Sequence, residues 1–340
     1  MEIIRNLILM GSLQLFAGDL NTNVTTDSGL SAENKTFYDR TLLESAKPNL
    51  IHSQFGQKRP IPKNGGKEIE FRRYGALPKA LTPLTEGVTP DGRKLTVTAI
   101  KAEVHQYGDY VALSDVLDLT AIDNNVLEAT KAIGNQAGLT LDTITRNVLQ
   151  AGTNVQYCPK VGATGTTAVT SRADIDATCK LTVDEIKKAV ATLKANNVPK
   201  ISGSYVAIIH PYAAYDLMSD PNWEEMHKYT TSDNMYEGEI GRIAGVRFVE
   251  SSEALIVKTS TNPAVFCTLV LGEHAYGITE VTGGGLQTII KQLGSAGTAD
   301  PLDQRSTVGW KAMQTAEILQ QNYMIRIESG GAFSGTAKAN

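Results

Sequence analysis

Residues 61–114 read IPKNGGKEIEFRRYGALPKALTPLTEGVTPDGRKLTVTAIKAEVHQYGDYVALS, and the fold turns on what this stretch does. Its ends are strand-like, Lys67–Tyr74 and Lys94–Leu113, while its middle is crowded with Pro78, Pro83, Gly87, Pro90 and Gly92. That middle cannot be helix, because each proline removes a donor and fixes φ, and each glycine loosens the backbone. Thr89-Pro90-Asp91-Gly92 has turn composition, with proline pre-setting the second position and Asp and Gly suited to the later ones. The stretch is expected to be a long two-stranded arm with a turn near its tip. An isolated hairpin is marginal in water. Such an arm needs a surface to lie on, and a second copy of the chain is the expected one.

The whole chain has 340 residues, 41% hydrophobic and 20% charged. That is ordinary globular composition, with room for two core-bearing units or one elaborated domain. A net charge of −4 and a pI of about 5.8 argue against a protein built to grip polyanions. The charge is unevenly placed, however. Residues 58–103 hold ten Lys/Arg and five Asp/Glu, a local +5, so the remainder carries −9. A basic arm on an acidic body suits contact between copies. Lysines and arginines that keep edge strands from aggregating would explain the same composition. Cys158, Cys179 and Cys267 form no C-x-x-C pair, as expected of reduced thiols in a cytosolic setting. No apolar run reaches the length of a membrane span. The first twenty residues superficially resemble a secretory signal, but Asn6, Ser12 and Gln14 interrupt the apolar run and no small-x-small site follows.

In chain order, residues 18–33 are polar and aperiodic and read as an extended arm, and Ala32–Ala46 as a short helix stopped by Pro48. The longest helical signal follows residue 114. Leu119, Ile122, Val126, Ala129, Ile133, Ala137, Leu141, Ile144 and Val148 fall at steps of three or four, one continuous face. Ser114 is placed to cap its start and Gly152 follows its end. The core of this spine helix is assigned to Leu119, Ile122, Val126, Ile133, Ile144 and Val148. Gly134 and Gly138 lie beside that face, and close packing of another element explains the four-residue spacing. Residues 153–178 are Gly/Thr/Ala-rich and suggest a boundary. Thr182-x-x-Glu185 then reads as a capping box opening a helix. Tyr205–His210, Arg242–Glu250, Ala264–Gly272, Leu286–Gln292 and Tyr323–Glu328 read as strands, and Pro211–Met218 as a helix. Mixed strands and helices without a βα rhythm indicate an α+β fold.

A search for chemistry finds little. His52, His105, His210, His227 and His274 share no metal-ligand spacing, and no cofactor or metal site is assigned. Gly283-Gly284-Gly285 lacks a following Lys-Ser/Thr and reads as a turn, and Ser202-Gly203-Ser204 is not a nucleophile elbow. Asp184, Glu185, Glu224 and Glu225 read as helix-start and surface charges. No catalytic residue is assigned, and the long arm beside that absence favours a structural protein.

Several segments resemble the major capsid proteins of tailed bacteriophages, specifically the phage N-four-like group. They are Leu13–Gly18, Thr25–Ser31, Phe55–Pro62, Leu81–Pro90, Gln106–Tyr110, Ile240–Phe248 and Asp300–Trp310. The likeness spans residues 13–329 and is weaker over 152–179. It implies the shell fold named after phage HK ninety-seven. On that template residues 1–60 form an N-terminal arm, 61–114 the extended loop and 115–152 the spine helix of a peripheral domain. A variable connector follows at 153–181, then an axial domain at 182–292, return strands of the peripheral domain at 293–329 and a flexible tail at 330–340. Leu81, Pro83, Glu86, Pro90, Asp91, Gly92 and Arg93 would make the intersubunit contacts of the loop. The resemblance also implies hexamers and pentamers closing an icosahedral virion shell, assembled in the host cytoplasm. Portal, scaffolding or decoration proteins would be partners, and packaged DNA would be touched weakly and without specificity. Some such shells cross-link a loop lysine to an asparagine; Lys79, Arg93 and Lys94 qualify by position alone. Two other classes remain open, an encapsulin-like compartment shell and a hydrolase using a carboxylate pair.

Overall fold

The computed structural model describes residues 38–46, 49–75, 77–120, 124–162, 165–228, 239–258, 263–295, 297 and 300–340. The extended arm expected over 18–33, and Ile122, lie outside the described residues. The chain runs from a helix over 38–46 (α1) into strands Gln57–Lys58 (β1), Glu68–Tyr74 (β2), Val97–Glu103 (β3) and His105–Ser114 (β4). Helices Asp115–Thr120 (α2) and Asn125–Gln150 (α3) follow, then short strands Val155–Tyr157 (β5), Lys160–Gly162 (β6) and Gly165–Thr167 (β7). Next come helix Val183–Ala195 (α4), strand Tyr205–Ile209 (β8) and helices Pro211–Met218 (α5) and Pro221–Lys228 (α6). The last part is strands: Glu239–Ile243 (β9), Val246–Glu250 (β10), Ile256–Val257 (β11), Val265–Leu271 (β12), Tyr276–Glu280 (β13), Gln287–Lys291 (β14), Arg305–Ile318 (β15) and Met324–Ser329 (β16).

Two sheets organise the chain. In the first, the fourteen-residue β15 pairs along residues 305–314 with β4. Residues 307–311 also pair with β14, and Gln314 with β13, so those two strands occupy the other edge, and β1 extends it beyond β13. Alternate residues of β15 face alternate sides. Val308, Trp310 and Ala312 meet Ile133, Ala137 and Leu141 of α3, with Leu42 of α1 closing the cluster. The second sheet runs β5-β16-β12-β8-β10-β9, with β11 against β12. Its strands β8 and β12 are buried throughout, and α4 and α5 cover it through Ile186, Val190, Leu193, Ala213 and Leu217. Leu149, Leu269, Leu271, Tyr276, Ala316 and Met324 form a third cluster that joins elements of both sheets.

The spine helix is shorter than its periodicity suggests. It starts at Asn125, where the Asn124 side chain accepts a hydrogen bond from the Leu127 N–H at 3.1 Å. Ser114 is a cap, but of the separate helix α2, with Leu117 N–H donating to its Oγ at 3.2 Å. Leu119 therefore sits on a different helix and is 84% exposed, not core. Ile133 is 2% exposed, while Val126, Ile144 and Val148 are half-buried and pack against the clusters. Gly134 and Gly138 have the close neighbour their spacing implied. A Cβ there would come within 2.7 Å of the Leu42 carbonyl and 2.6 Å of the Ala46 carbonyl, so α1 lies directly on the glycine side of α3.

Other expectations need correction. The strand read as Lys94–Leu113 divides at buried Val104 into β3 and β4, which belong to different sheets, so residues 105–114 are part of the body and not of the arm. Arg242–Glu250 is a hairpin, because Ala244 (φ 54°) and Gly245 (φ 83°) turn the chain between β9 and β10. Thr182 makes no side-chain cap. Asp220 instead accepts from the Val183 N–H at 2.9 Å, and Glu185 turns inward to Lys188 and Gln156. Boundaries at 182, 292 and 293 do not follow the sheets: β13 and β14 belong to the first, whereas β5 and β16 belong to the second. Residues 330–340, expected to be a flexible tail, are docked. Ala264 N–H donates to Ser334, Lys258 Nζ to Ala337 O at 2.7 Å, and Ile256 N–H to the Asn340 side chain at 2.9 Å.

Candidate functional site

The arm is a seven-pair antiparallel hairpin, from Glu68 opposite Glu103 to Tyr74 opposite Val97. Its period of two puts Ile69, Phe71, Ile100 and Ala102 on one face, and that face is what the body holds. Phe71 is 3% exposed because Gly277 of β13 leaves room for its ring; a Cβ on Gly277 would stand 2.7 Å from it. The Arg59 guanidinium lies 5.9 Å from the ring centroid, a cation–π contact. Val104 N–H donates to Lys67 O at 2.9 Å where the hairpin meets the body. The root is fixed.

Beyond Tyr74 and Val97 the support ends. Every residue from 77 to 96 is exposed. Leu81, Pro83, Glu86, Pro90, Asp91, Gly92 and Arg93 all lie in this segment. Three leucines and a valine are bare to solvent: Leu77 at 55%, Leu81 at 81%, Leu84 at 77% and Val88 at 62%. The hydrogen-bonded turn is Thr85–Val88, closed by Val88 N–H to Thr85 O at 3.2 Å, and not Thr89–Gly92. Gly87 at φ 75° takes the positive-φ third position of that turn, which outweighs the Pro-Asp-Gly composition four residues later. Four bare apolar side chains on a segment without a core of its own are chemically suited to burial against another surface.

Elsewhere the polar groups hold the body together. Glu328, fully buried on β16, accepts from Arg172 Nε at 2.7 Å and from Arg326 Nε at 2.9 Å. This pairing raises the Arg172 pKa, and burial of the neighbouring Cys267 pushes its thiol up to about 12, so that thiol stays protonated. His52 and Asp142, both fully buried, meet through Nδ1 and Oδ2 at 2.6 Å, and His52 N–H donates to Asp142 Oδ1 at 2.7 Å. Tyr276 hydroxyl donates to the His52 carbonyl. This knot ties α3 to the segment before β1 and to β13. Histidine spacing did not reveal it; an acid at 142 within the apolar face of α3 is the only trace in the sequence. Among the described residues no group of three or more His, Cys, Asp or Glu is placed to hold a metal, and no helix is long and apolar enough to cross a membrane.

A family model described as phage capsid protein matches residues 97–323, more than half of the chain. No curated protein sequence matches it. Among solved structures, the capsid of cyanophage P-SCSP1u is similar with a TM-score of 0.61 at 16% identity, covering 83% of this chain and 89% of that one. The capsid of cyanophage Pam1 gives 0.62 at 12% identity, covering 85% and 92%. A virus-like particle from Pyrococcus furiosus gives 0.50 at 8% identity, covering 87% and 99%. At these identities the likeness is one of fold, the shell fold named after phage HK ninety-seven.

Proposed function

Since the chain belongs to the phage capsid protein family and is a structural major capsid protein of the virion shell, we propose that its arm is the clamp by which each copy holds the next. The carrying observation is the contrast within the arm: a root locked by Phe71 and a tip with Leu77, Leu81, Leu84 and Val88 exposed. The difference in charge between a basic arm and an acidic remainder supports attraction between copies and their correct orientation. In this reading the sheet of β15 with α3 is the peripheral part of the shell. The sheet of β12 with α4 and α5 is the axial part, which gathers around the axes of hexamers and pentamers. Leu81, Pro83, Glu86, Pro90, Asp91, Gly92 and Arg93 face the neighbouring subunit. Assembly takes place in the host cytoplasm, with a portal and scaffolding or decoration proteins as further partners. Packaged DNA is held weakly, in keeping with the net charge of −4.

Deleting Leu77–Lys94 tests this. The shortened chain is expected to stay soluble and melt like the full chain, since these residues bury nothing, yet form no closed shells. Normal shells from that deletion would refute the clamp. A compartment shell without a genome is the second reading, favoured by the likeness to the Pyrococcus furiosus particle; a cargo enzyme encoded nearby, in place of portal and packaging genes, would select it.

A further inference from the structure

The root of the arm leaves a hollow against the body, far from the bare tip. It has a volume of about 350 Å3, and Arg59, Phe71, Arg73, His274, Leu319 and Gln320 are among its lining residues. Alternation along β2 puts Arg73 on the face of Phe71 and sends Arg72 to the opposite one. Arg73 Nη1 donates to the Leu319 carbonyl at 3.4 Å, which anchors its guanidinium on the body side. Arg59, just past β1, donates its N–H to the Ile278 carbonyl at 3.0 Å and holds its guanidinium by the Phe71 ring. Two arginines thus reach one hollow from two strands. Arg72 is paired with Glu70 at 2.9 Å, whereas among the described residues neither Arg59 nor Arg73 pairs with a carboxylate, and both are exposed. His274 borders the hollow from the turn between β12 and β13, at φ 59°, a left-handed conformation uncommon outside glycine. Backbone held in such a conformation clusters at ligand sites. Its Nε2 lies 3.5 Å from the Glu273 carboxylate.

The donor set selects the ligand. A guanidinium is a planar fork of N–H donors that matches oxyanions in pairs of bonds. Two forks from different strands, with the Gln320 amide beside them, offer donors in more than one plane. A carboxylate presents its lone pairs in a single plane, while a phosphate presents oxygens tetrahedrally and can engage both forks. A phosphomonoester carries a charge of about −1.5 to −2 near neutral pH, which two guanidiniums without carboxylate partners match. Phe71, Ile100 and Leu319 give the hollow an apolar wall, beside which an ion pair is stronger than in open water. Its volume falls within the range of small-molecule pockets, about 300–1,000 Å3, and exceeds what a bare anion needs. The net charge of −4 on the whole chain disfavours long polyanions and leaves a small ester as the better ligand. We propose that the hollow binds a phosphate ester of nucleotide size, its phosphate held between Arg59 and Arg73 and its remainder against the apolar wall. The site stands on the arm's root and is independent of the clamp at its tip.

Calorimetric titration of the full chain tests it with inorganic phosphate, adenosine monophosphate and acetate as probes. Saturable binding of both phosphates is expected, with acetate weaker by about tenfold or more, because a planar anion engages one fork only. Arg59→Lys and Arg73→Lys keep the charge but lose the fork, so each is expected to weaken phosphate binding about tenfold while the melting temperature stays unchanged. Arg72→Ala, on the opposite face and already paired with Glu70, is expected to change binding less than about twofold. Phosphate binding that survives both lysine variants, acetate as tight as phosphate, or no saturable heat with phosphate would overturn the site. A short DNA duplex then separates the sources of the phosphate. Failure of the duplex to displace adenosine monophosphate is the expected result and marks a free ester as the ligand; displacement that depends on Arg59 and Arg73 would keep the phosphate site, assign it to the DNA backbone and overturn the small ester. Neither arginine lies within residues 77–94, so failure of this site and failure of the clamp are read separately.

Discussion

Gly138 illustrates how tightly single positions are held. Its missing Cβ is the space occupied by the Ala46 carbonyl, so Gly138→Val is expected to push α1 off the spine. Over-packing costs about 1–3 kcal/mol, which exceeds the gain of up to about 1 kcal/mol from removing a helical glycine; urea unfolding of the variant measures the balance. Ile133 sits where α3 meets Val308 and Trp310. Ile133→Ala is expected to cost about 2–5 kcal/mol, and Ile133→Asp, which buries a charge, to abolish soluble expression. Asp176 gives a pH signature. Hydrogen bonds from the Thr178 hydroxyl and from Lys160 hold its carboxyl down to about 2, below the ordinary value of 3.8. A depressed folded-state value means that the stability it contributes is complete above about pH 4 and lost as pH falls toward about 2. Wild type and Asp176→Asn should therefore differ in urea midpoint at neutral pH and converge near pH 2; a constant difference across that range would remove the effect from Asp176. Some of this scale is legible from sequence alone. The four-residue spacing of Gly134 and Gly138 announces close packing. The His52–Asp142 pair does not announce itself, because its partners lie ninety residues apart and neither carries a spacing rule.

At the scale of elements, the spine helix and the arm divide the lesson. Periodicity finds α3 but overruns its start, since residues 119 and 122 keep the three-four rhythm while Asn124 re-caps the chain. Asn124→Ala is expected to cost about 1 kcal/mol of stability, read as a lowered melting temperature with unchanged helix content elsewhere. The arm's strands are visible as sequence, but the break at Val104 is not, because β3 and β4 share one uninterrupted β-like run and only pairing partners separate them. The central strand β15 is the hardest to read. Its inward positions include the small Ala312 and Ala316, and its outward positions include Gly309, so its alternation is faint; the resemblance of Asp300–Trp310 to capsid proteins marks the region where residue patterns do not. That same smallness lets α3 approach on one side.

For the molecule as a whole, two sheets with a joining core make a body with buried ion pairs and a docked C-terminal segment, and among the described residues the arm tip and helix α2 both carry exposed apolar side chains. Family membership places that body in a virion shell, and the proposed clamp would link its copies through the arm. The α+β class and the arm follow from prolines, glycines and periodicity. Which strands share a sheet does not, because β5 and β16, about 170 residues apart, meet only through folding. The most direct measurement is negative-stain electron microscopy of the full chain beside the chain lacking Leu77–Lys94. Closed particles from the full chain and only soluble, unclosed protein from the deletion are expected; equally closed particles from both would contradict a clamp at the arm.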